Sequence, residues 1–596
     1  YLFSFTDTDF NGGTLESTLG KGYTGGKNVD VVNLEEVGSF GDAFGTSVSL
    51  NAAGDRLAVG ARIDEGAGNA ATDVGAAYLF SFTDTDFNGG TLESTIGKGY
   101  TGGKNLDVAN LVNTDLFGSD VSLNAAGDRL AVGAEADNGA GNNNGAVYLF
   151  SFSDTDFNGG TLESTLGLGY TGGKNVDVAN LEFFDRFGSS LSLNSAGDRL
   201  AVGAWRDDGA GNAANASGAA YLFSFSDTDF NGGTLESTIG SGYTGGKNLD
   251  VTNLDDDDRF GHSLSLNAAG DRLAVGAFID DGAGNIASDT GAAYLFTFTD
   301  TNFNGGTLVS TIGKGYRDRS KDVNVTLDDE DRLGSAVSLN AAGDRLAVGV
   351  SHDDGAGNVG TDTGATYLFS FTDTNFNGGT LESTIGSGYT GGKNVDMANL
   401  EGGGNFGDSF GISVSLNAAG DRLAVGARGD DGAGNAATRT GSVYLFSFTD
   451  ADFNGGTLES TLGSGYTGGK NVDVANLDDL DFFGTSVSLN GVGDRLAVGA
   501  DGDNGAGNIG LNIGAAYLFS FADTDFNVVT LESTIGSGYT VGKNVDMTNL
   551  DSVERFGTSV SLNGAGDRLA VGAPRDDGAG NLATQSGAAY LFSFTD

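Results

Sequence analysis

The stretch Asn51-Ala52-Ala53-Gly54-Asp55-Arg56-Leu57-Ala58-Val59-Gly60 decides the fold, because it returns eight times along the 596-residue chain with small changes. Successive copies are 73, 70, 73, 73, 77, 73 and 73 residues apart. Such regular spacing indicates structural repeats, and we treat residues 1–596 as one repeat domain of eight units. The arginine of each copy is Arg56, Arg129, Arg199, Arg272, Arg345, Arg422, Arg495 or Arg568.

Each unit contains four short segments with β-strand character, in which polar and apolar residues alternate or aromatic residues recur at every second position. The turn Asn88-Gly89-Gly90 between the third and fourth segments is a strong hairpin signal. No stretch shows a sustained helical period, so helices are expected to be scarce. In the first full unit the four segments are Ser47–Leu50, Arg56–Val59, Ala77–Phe82 and Thr91–Ile96.

A four-stranded antiparallel meander of this size cannot bury both of its faces alone and must stack on its neighbours. Four strands repeated eight times predict an all-β propeller of eight four-stranded antiparallel blades. An open linear β-repeat array is the alternative. The aromatic strand occurs nine times, from Tyr1 to Tyr590, whereas a closed ring holds eight. We therefore expect the chain to be part of a longer precursor.

The charge of the chain is extreme, with 80 acidic and 30 basic residues and a formal net charge of −50. Such a chain repels phosphate backbones and anionic membrane surfaces, so nucleic acid is not an expected partner. Bound divalent cations or a salty medium make this charge tolerable. No apolar run approaches the roughly 20 residues that cross a bilayer, so no transmembrane segment is expected.

Short motifs flank the first two strands of each unit. Phe44-Gly45 precedes the first strand, and Gly60-Ala61 ends the second. In the last unit these motifs read Phe556-Gly557 and Gly572-Ala573-Pro574. The pattern resembles the FG-GAP repeat of integrin α-subunit propellers and of many bacterial surface proteins.

The resemblance implies a β-propeller, an extracellular or cell-surface location, binding of a ligand or partner, and often calcium. One departure concerns the hairpin that carries calcium ligands in integrin-type repeats. Here that hairpin, Asn51–Asp55, holds a single carboxylate. The calcium site of the family therefore cannot be transferred residue by residue.

Two other acidic loops are candidate calcium sites. The first, Asp84-Thr85-Asp86-Phe87-Asn88-Gly89, offers oxygens at positions one, three and five before a glycine, as EF-hand-like loops do. An Asx-stabilised hairpin turn is the equally weighted alternative. Asn302 and Asn375 replace the middle acid in two units. The candidate ligands are Asp7, Asp9, Asn11, Asp84, Asp86, Asn88, Asp154, Asp156, Asn158, Asp227, Asp229 and Asn231.

The second acidic loop pairs two acids with glycines, so that carboxylates and carbonyls together can bind calcium. A plain solvated loop is the alternative. Propeller topology predicts that this loop and the blade-to-blade connection share one face, made strongly negative by runs such as Asp255–Asp258. The first loop is expected on the opposite face. The candidate ligands are Asp207, Asp208, Asn212, Asp280, Asp281, Asn285, Asp576, Asp577 and Asn581.

Catalysis finds no support in the sequence, because the two histidines, His262 and His352, lie in different units and no nucleophile has a recurring base partner. Paired carboxylates recur in nearly every unit, whereas an active site needs one special constellation. The basic break Arg317, Arg319 and Lys321 in the fifth unit is a candidate partner site, and Trp205 is a candidate sugar platform.

We therefore expect a non-catalytic extracellular structural or adhesive protein. Its partners are expected to be copies of itself or other surface proteins, and it is a candidate fibre or surface-layer subunit because near-identical units repeat the same contacts. The alternative is a monomeric ligand-binding propeller that recognises a glycan or matrix partner. A polysaccharide-degrading enzyme is the least favoured class.

Overall fold

Eight β-sheets make up the protein in a computed structural model, and each sheet is one blade of a propeller. The described residues are 17–21, 29–32, 34, 42–68, 71–82, 91–139, 141, 143–154, 156–227, 229–300, 302–317, 319–358, 360–373, 375–377, 379–400, 407–450, 453–523, 526–540, 544–547, 550, 552–566, 568–576 and 588–593.

Each blade has five strands rather than the predicted four. Strands one to four form the expected antiparallel meander, and a two-residue fifth strand runs parallel to the fourth, with Leu106 beside Ile96 in the first blade. The sequence prediction assigned this segment to the connection, because two residues carry no readable period. The short outer strand leaves each blade with a minimal exposed edge.

The strand bounds repeat from blade to blade. The inner strands are Phe44–Leu50, Phe117–Leu123, Ser190–Leu193, Ser263–Leu266, Leu333–Leu339, Phe410–Leu416, Phe483–Leu489 and Ser559–Leu562. The second strands are Arg56–Ala61, Arg129–Ala134, Arg199–Ala204, Arg272–Ala277, Arg345–Val350, Arg422–Ala427, Arg495–Ala500 and Arg568–Ala573. The third strands are Ala76–Ser81, Ala146–Ser151, Ala219–Ser224, Ala292–Thr297, Ala365–Ser370, Ser442–Ser447, Ala515–Ser520 and Ala588–Ser593.

The two outermost strands of the eighth blade come from the N-terminal part of the chain. The fourth strands are Thr91–Gly97, Thr161–Gly167, Thr234–Gly240, Thr307–Gly313, Thr380–Gly386, Thr457–Gly463, Thr530–Gly536 and, in blade eight, Ser17–Gly20. The fifth strands are Leu106–Asp107, Val176–Asp177, Leu249–Asp250, Val323–Asn324, Val395–Asp396, Val472–Asp473, Val545–Asp546 and, in blade eight, Val29–Asp30.

The ring is closed. Ser17–Gly20 pairs antiparallel with the third strand of blade eight, placing Leu19 opposite Ala589. On the other side of that blade, the Asn563 side chain donates to the Ala52 carbonyl of blade one at 3.4 Å. This closure excludes the open array. The Tyr590 copy of the aromatic strand fills the last blade, and the Tyr1 copy lies outside the described residues.

The hydrophobic core lies between neighbouring blades. In blade one, the ring of Phe44 packs edge-on against Tyr78 at 5.0 Å and near Phe80 at 6.2 Å, and all three are fully buried. The glycine of the Gly-Ala motif in the second strand lies against the backbone of the next blade. A Cβ atom on Gly60 would lie only 2.1 Å from the carbonyl oxygen of Gly118, so no side chain fits there. The paired glycines of the motifs thus let adjacent blades touch backbone to backbone.

The repeated Asn-Ala-Ala-Gly-Asp-Arg hairpin links each blade to the next. Its Asn51 Oδ1 accepts hydrogen bonds from the backbone N–H of Asp55 and Arg56, which fixes the turn. Its Nδ2 donates to the Ala126 carbonyl of blade two at 3.2 Å, across the interface between neighbouring blades, here called a seam. The decisive stretch of sequence is therefore a seam element as well as a turn.

Candidate binding face

The strand directions give the ring two unlike faces. The loops between strands two and three and the blade-to-blade connections lie on one face, here called the connection face. The hairpins between strands one and two and between strands three and four lie on the other, the hairpin face. This agrees with the predicted placement of the two acidic loops.

The first acidic loop, on the hairpin face, forms an Asx turn in its described copies. Asp154 Oδ1 accepts from the backbone N–H of Asp156 and Asn158 at 3.0 and 3.1 Å, and the Asn158 side-chain amide also donates to Asp154. These hydrogen bonds lower the pKa of the exposed Asp154 carboxyl. Asp227, Asp229 and Asn231 repeat this arrangement.

The middle acid of this loop pairs with an arginine of the preceding blade. Arg56 Nη2 donates to Asp156 Oδ1 at 2.8 Å, and Arg129 does the same to Asp229. The loop oxygens therefore contact protein donors, and calcium binding at this loop stays a prediction. Of the predicted ligands, Asp7, Asp9, Asn11, Asp84, Asp86 and Asn88 lie outside the described residues.

The first acid of the second loop is buried beneath the connection face. Asp207 accepts hydrogen bonds from the Tyr221 hydroxyl, from the Tyr243 hydroxyl at 2.9 Å and from the Gly209 N–H at 2.8 Å. Burial nevertheless raises the pKa of Asp207 to about 6. Asp280 repeats this cluster, and Asp576 contacts the hydroxyl of Tyr590.

The remaining described residues of the second loop form hydrogen bonds with other residues of the connection face. Asp208 Oδ1 accepts a hydrogen bond from the backbone N–H of Ala216 at 2.7 Å, and Asp281 Oδ1 accepts one from the backbone N–H of Asp289 at 2.8 Å. The side chains of two loop asparagines donate to acids of the blade-to-blade connection. The pairs are Asn212 to Glu182 and Asn285 to Asp255. Asp577 and Asn581 lie outside the described residues.

Sequence reasoning missed a second buried acid, two residues before each Phe-Gly motif. Asp185 and Asp258 are 1% and 0% exposed, and each has one carboxyl oxygen without a hydrogen-bond partner. Burial, followed by repulsion from Asp207 and Asp280, raises their pKa values to about 8 and 9. The recurring acid before Phe-Gly was the available sequence signal, but a charged residue in a loop is normally read as solvated.

No described residues form a group of three or more His, Cys, Asp and Glu side chains arranged to hold a metal ion. The buried acids form pairs, one from the second loop and one from the connection, and Asp207 already accepts three donors. Burial and mutual repulsion in such a pair favour the protonated form of the connection acid, Asp185 or Asp258. Calcium stays a prediction here too.

Arginines collect on the connection face despite the acidity of the chain. Of the 19 arginines, eight belong to the repeated hairpin, which leaves 11 elsewhere. Nine of these 11 lie in the loops and connections of this face, beside its acidic residues. They are Arg62, Arg186, Arg206, Arg259, Arg332, Arg428, Arg439, Arg555 and Arg575.

Two positions meet across the seams of this face. The residue before Phe-Gly, here the pre-Phe residue, has a positive φ, as at Arg259 (56°) and Phe482 (57°). It contacts the residue that follows Gly-Ala in the preceding blade, here the post-Ala residue. The contacts are Glu135–Arg186 at 3.9 Å, Trp205–Arg259 at 5.2 Å, Arg428–Phe482 at 4.9 Å and Asp501–Arg555 at 3.0 Å.

The candidate platform Trp205 lies in an aromatic and cationic cluster. Its ring is covered by Arg206 at 4.6 Å and lies 6.5 Å from His262, which in turn lies 4.5 Å from Phe278. Burial and then the positive charge of Arg259 lower the pKa of His262, which favours its neutral form. A cavity of about 370 Å³ lined by Phe183, Phe184 and Arg206 opens beside the cluster.

The basic break of the fifth unit lies apart from this cluster. Lys321 donates to the backbone carbonyl of Asn375 at 2.9 Å, and Lys104 makes the same contact with Asp156. Lys321 therefore occupies the place of the lysine that recurs in the other units. Arg317 is exposed and Arg319 is half-buried. His352, the second histidine, contacts Arg332 at 3.3 Å in a different blade from His262.

A protein-family model described as FG-GAP repeat matches residues 36–80, 110–150, 180–223, 401–446 and 550–592. The chain carries FG-GAP repeats. The matched segments contain the Phe-Gly and Gly-Ala motifs that form the seams. In the part of the chain that the structure describes, no helix is long and apolar enough to span a membrane. No match is found among curated protein sequences.

Three solved structures are similar to this chain at low sequence identity. The C-terminal WD40 domain of Sif2 is 13% identical, with a TM-score of 0.43 over 94% of this chain and 96% of that one. Sqt1 from Chaetomium thermophilum is 11% identical, with a TM-score of 0.46 over 97% and 98%. Sqt1 from Saccharomyces cerevisiae is 11% identical, with a TM-score of 0.45 over 95% and 100%. Similarity of this degree supports no conclusion about function.

Proposed function

We propose that this FG-GAP propeller is a non-catalytic, extracellular or cell-surface adhesive protein that binds its partner through the connection face. The observation that carries the proposal is the collection of non-repeated arginines and aromatic residues on that one face. Eight near-identical blades offer eight equivalent surfaces, so a single binding site needs side chains that differ between blades. FG-GAP repeats are typical of surface proteins, which supports the location.

The aromatic cluster of blades three and four favours a glycan or matrix partner. Phe183 and Phe184 are 55% and 38% exposed, beside the guanidinium groups of Arg206 and Arg259. Exposed aromatic rings and arginines dominate the binding energy of protein interfaces. Aromatic faces also stack on the apolar faces of ligands and bind cations.

Catalysis is not part of the proposal. His262 packs between Trp205 and Phe278, and the buried acids recur as pairs from blade to blade. A pair that repeats in this way belongs to the architecture of each blade. An active site instead requires a nucleophile or acid with a positioned base in one place.

Self-assembly into fibres or a surface layer is the second candidate. The hairpin face presents the same loops blade after blade, so it offers repeated contacts to another copy. Face-to-face stacking must overcome the net charge of −50, so this candidate requires bound cations or a salty medium.

Retention on immobilised polysaccharides and matrix proteins tests the proposed function. We expect the wild-type ring to bind at least one member of a panel of acidic glycans, neutral glycans and collagen, and the double variant Phe183→Ala/Arg206→Ala to lose that binding. The matched control is Val528→Thr on the hairpin face, where Val528 is 72% exposed. Equal loss in both variants, or turnover of a bound polysaccharide, would contradict the proposal.

A further inference from the structure

The seam between blades eight and one differs from most other seams on the connection face, and only the seam of blades five and six, with Ser351 and Ser409, is also formed by two small side chains. Elsewhere the post-Ala and pre-Phe residues include large pairs such as Trp205–Arg259 and Arg428–Phe482. At this seam the two positions hold Pro574 and Ala43, two small side chains. Because little side chain fills the seam, a cavity of about 490 Å³ remains.

Three guanidinium groups line this cavity. Arg62 comes from blade one, and Arg555 and Arg575 come from blade eight. Burial and then repulsion from Arg555 lower the pKa of Arg575, with Arg62 adding to the effect. The Nε of Arg555 is buried without a hydrogen-bond partner. The cavity thus concentrates positive charge in a chain that is otherwise strongly acidic.

Among the described residues that line the cavity, Asp501 is the single acid, and it does not neutralise this charge. Asp501 accepts from Arg555 Nη1 at 3.0 Å and from the Thr485 hydroxyl at 3.0 Å, and its side chain is 7% exposed. It is therefore engaged by one of the three arginines. Within the described residues, Arg62 and Arg575 form no ion pair with a carboxylate.

We infer that the seam cavity is an anion-binding site for a ligand of about monosaccharide size that carries a carboxylate, sulfate or phosphate group. Guanidinium groups bind such oxyanions through two parallel N–H donors. The volume lies within the range of small-ligand pockets, and Ala43, Ile63 and Pro574 supply apolar walls for the rest of the ligand. The inference names a ligand class for one part of the connection face, and so it rests on the proposed function.

Calorimetric titration with sodium glucuronate, glucose 6-sulfate, glucose 6-phosphate and neutral glucose tests the inference. We expect the charged sugars to bind and glucose not to bind, with affinity falling as sodium chloride rises. Arg575→Gln and Arg62→Gln are each expected to weaken binding about tenfold. The control is Arg317→Gln, which removes an exposed arginine that does not line the cavity.

Filling the cavity gives a test that keeps all three arginines. Pro574→Phe places at this seam the side chain that Phe278 contributes at the same position of blade four, and we expect it to abolish binding without lowering the thermal midpoint. Binding of glucose as strong as that of glucuronate, or equal weakening by Arg317→Gln, would overturn the inference. The relative affinities of the three charged sugars identify the anion.

The two proposals fail separately. The seam inference alone is overturned if Arg62→Gln, Arg575→Gln and Pro574→Phe bind the charged sugars as tightly as the wild-type protein does, while partner retention still depends on Phe183. Retention that is independent of Phe183 and Arg206, with anion binding at the seam intact, overturns only the proposed partner site.

Discussion

Buried carboxyl groups are the distinctive feature at the scale of single residues. Asp258 is fully buried, and its pKa is raised from 3.8 to about 9 by burial and then by the nearby Asp280. Because the folded pKa lies above the unfolded one, folding favours the protonated acid. The stability from this preference is fully present below about pH 4 and is lost as the pH rises towards 9.

The first prediction concerns this acid. Asp258→Asn replaces the carboxyl with a neutral group of the same shape, so we expect it to raise the free energy of unfolding at pH 8 by about 1–3 kcal/mol. At pH 4 the effect should be small. Thermal unfolding at both pH values measures the difference.

Asp257→Asn is the matched control, since Asp257 is the exposed neighbour in the same loop and the same carboxyl-to-amide replacement is made. Equal stabilisation by both variants would show that relief of the overall charge, rather than burial, is responsible. That outcome would contradict the raised pKa of Asp258.

Glycine contacts decide how blades pack at the scale of the strand. A Cβ on Gly203, in the second strand of blade three, would lie 2.1 Å from the carbonyl oxygen of Gly261 in blade four. Neither atom can move without shifting a strand. The Gly-Ala and Phe-Gly motifs are therefore steric requirements of the seam, and they recur because every seam has the same geometry.

The second prediction tests this contact. Gly203→Ala should lower the free energy of unfolding by about 1–3 kcal/mol or more, because two backbones must separate. Gly564→Ala is the control, since its Cβ would meet no atom within 4 Å. Urea unfolding compares the two variants. A neutral effect of Gly203→Ala would contradict the close packing of the blades.

Closure of the ring is the main feature of the whole molecule. The last blade takes its fourth and fifth strands from Ser17–Gly20 and Val29–Asp30, and its first three strands end at Ser593. One blade thus joins segments more than 500 residues apart in the chain. Without these strands, the third strand of blade eight becomes an unpaired edge.

The third prediction follows from this closure. Deletion of residues 1–34 should lower the thermal midpoint and promote association of copies through the exposed edge of Ala588–Ser593. Adding a peptide of residues 1–34 should restore both properties. Calorimetry and light scattering measure these effects. An unchanged midpoint and a monodisperse truncated protein would show that the N-terminal strands do not close the ring.

The fourth prediction concerns cations and assembly. We expect calcium to raise the thermal midpoint more than magnesium or sodium at equal ionic strength, because the acidic loops offer closely spaced oxygens. Equal effects of all three salts would indicate screening of the net charge alone. Electron microscopy with calcium and after chelation examines assembly. Filaments that dissolve on chelation support the fibre candidate, whereas isolated rings in both conditions contradict it.

The sequence by itself determined the repeat, the order of the antiparallel strands and the faces of the two acidic loops. These properties follow from local patterns, such as Asn51–Arg56 and the alternating strands, which each segment carries within itself. The sequence also supported either a calcium site or an Asx turn at Asp154, since both require the same residues.

Only the tertiary structure decided the fifth strand, the closed ring, the burial of Asp207 and Asp258, and the cavity at Pro574 and Ala43. Each depends on groups brought together from distant parts of the chain. Asp207 is buried because Tyr221 and Tyr243 converge on it, and the basic seam exists because the last blade meets the first. Local sequence patterns do not encode such contacts, because they arise when the blades pack into a ring.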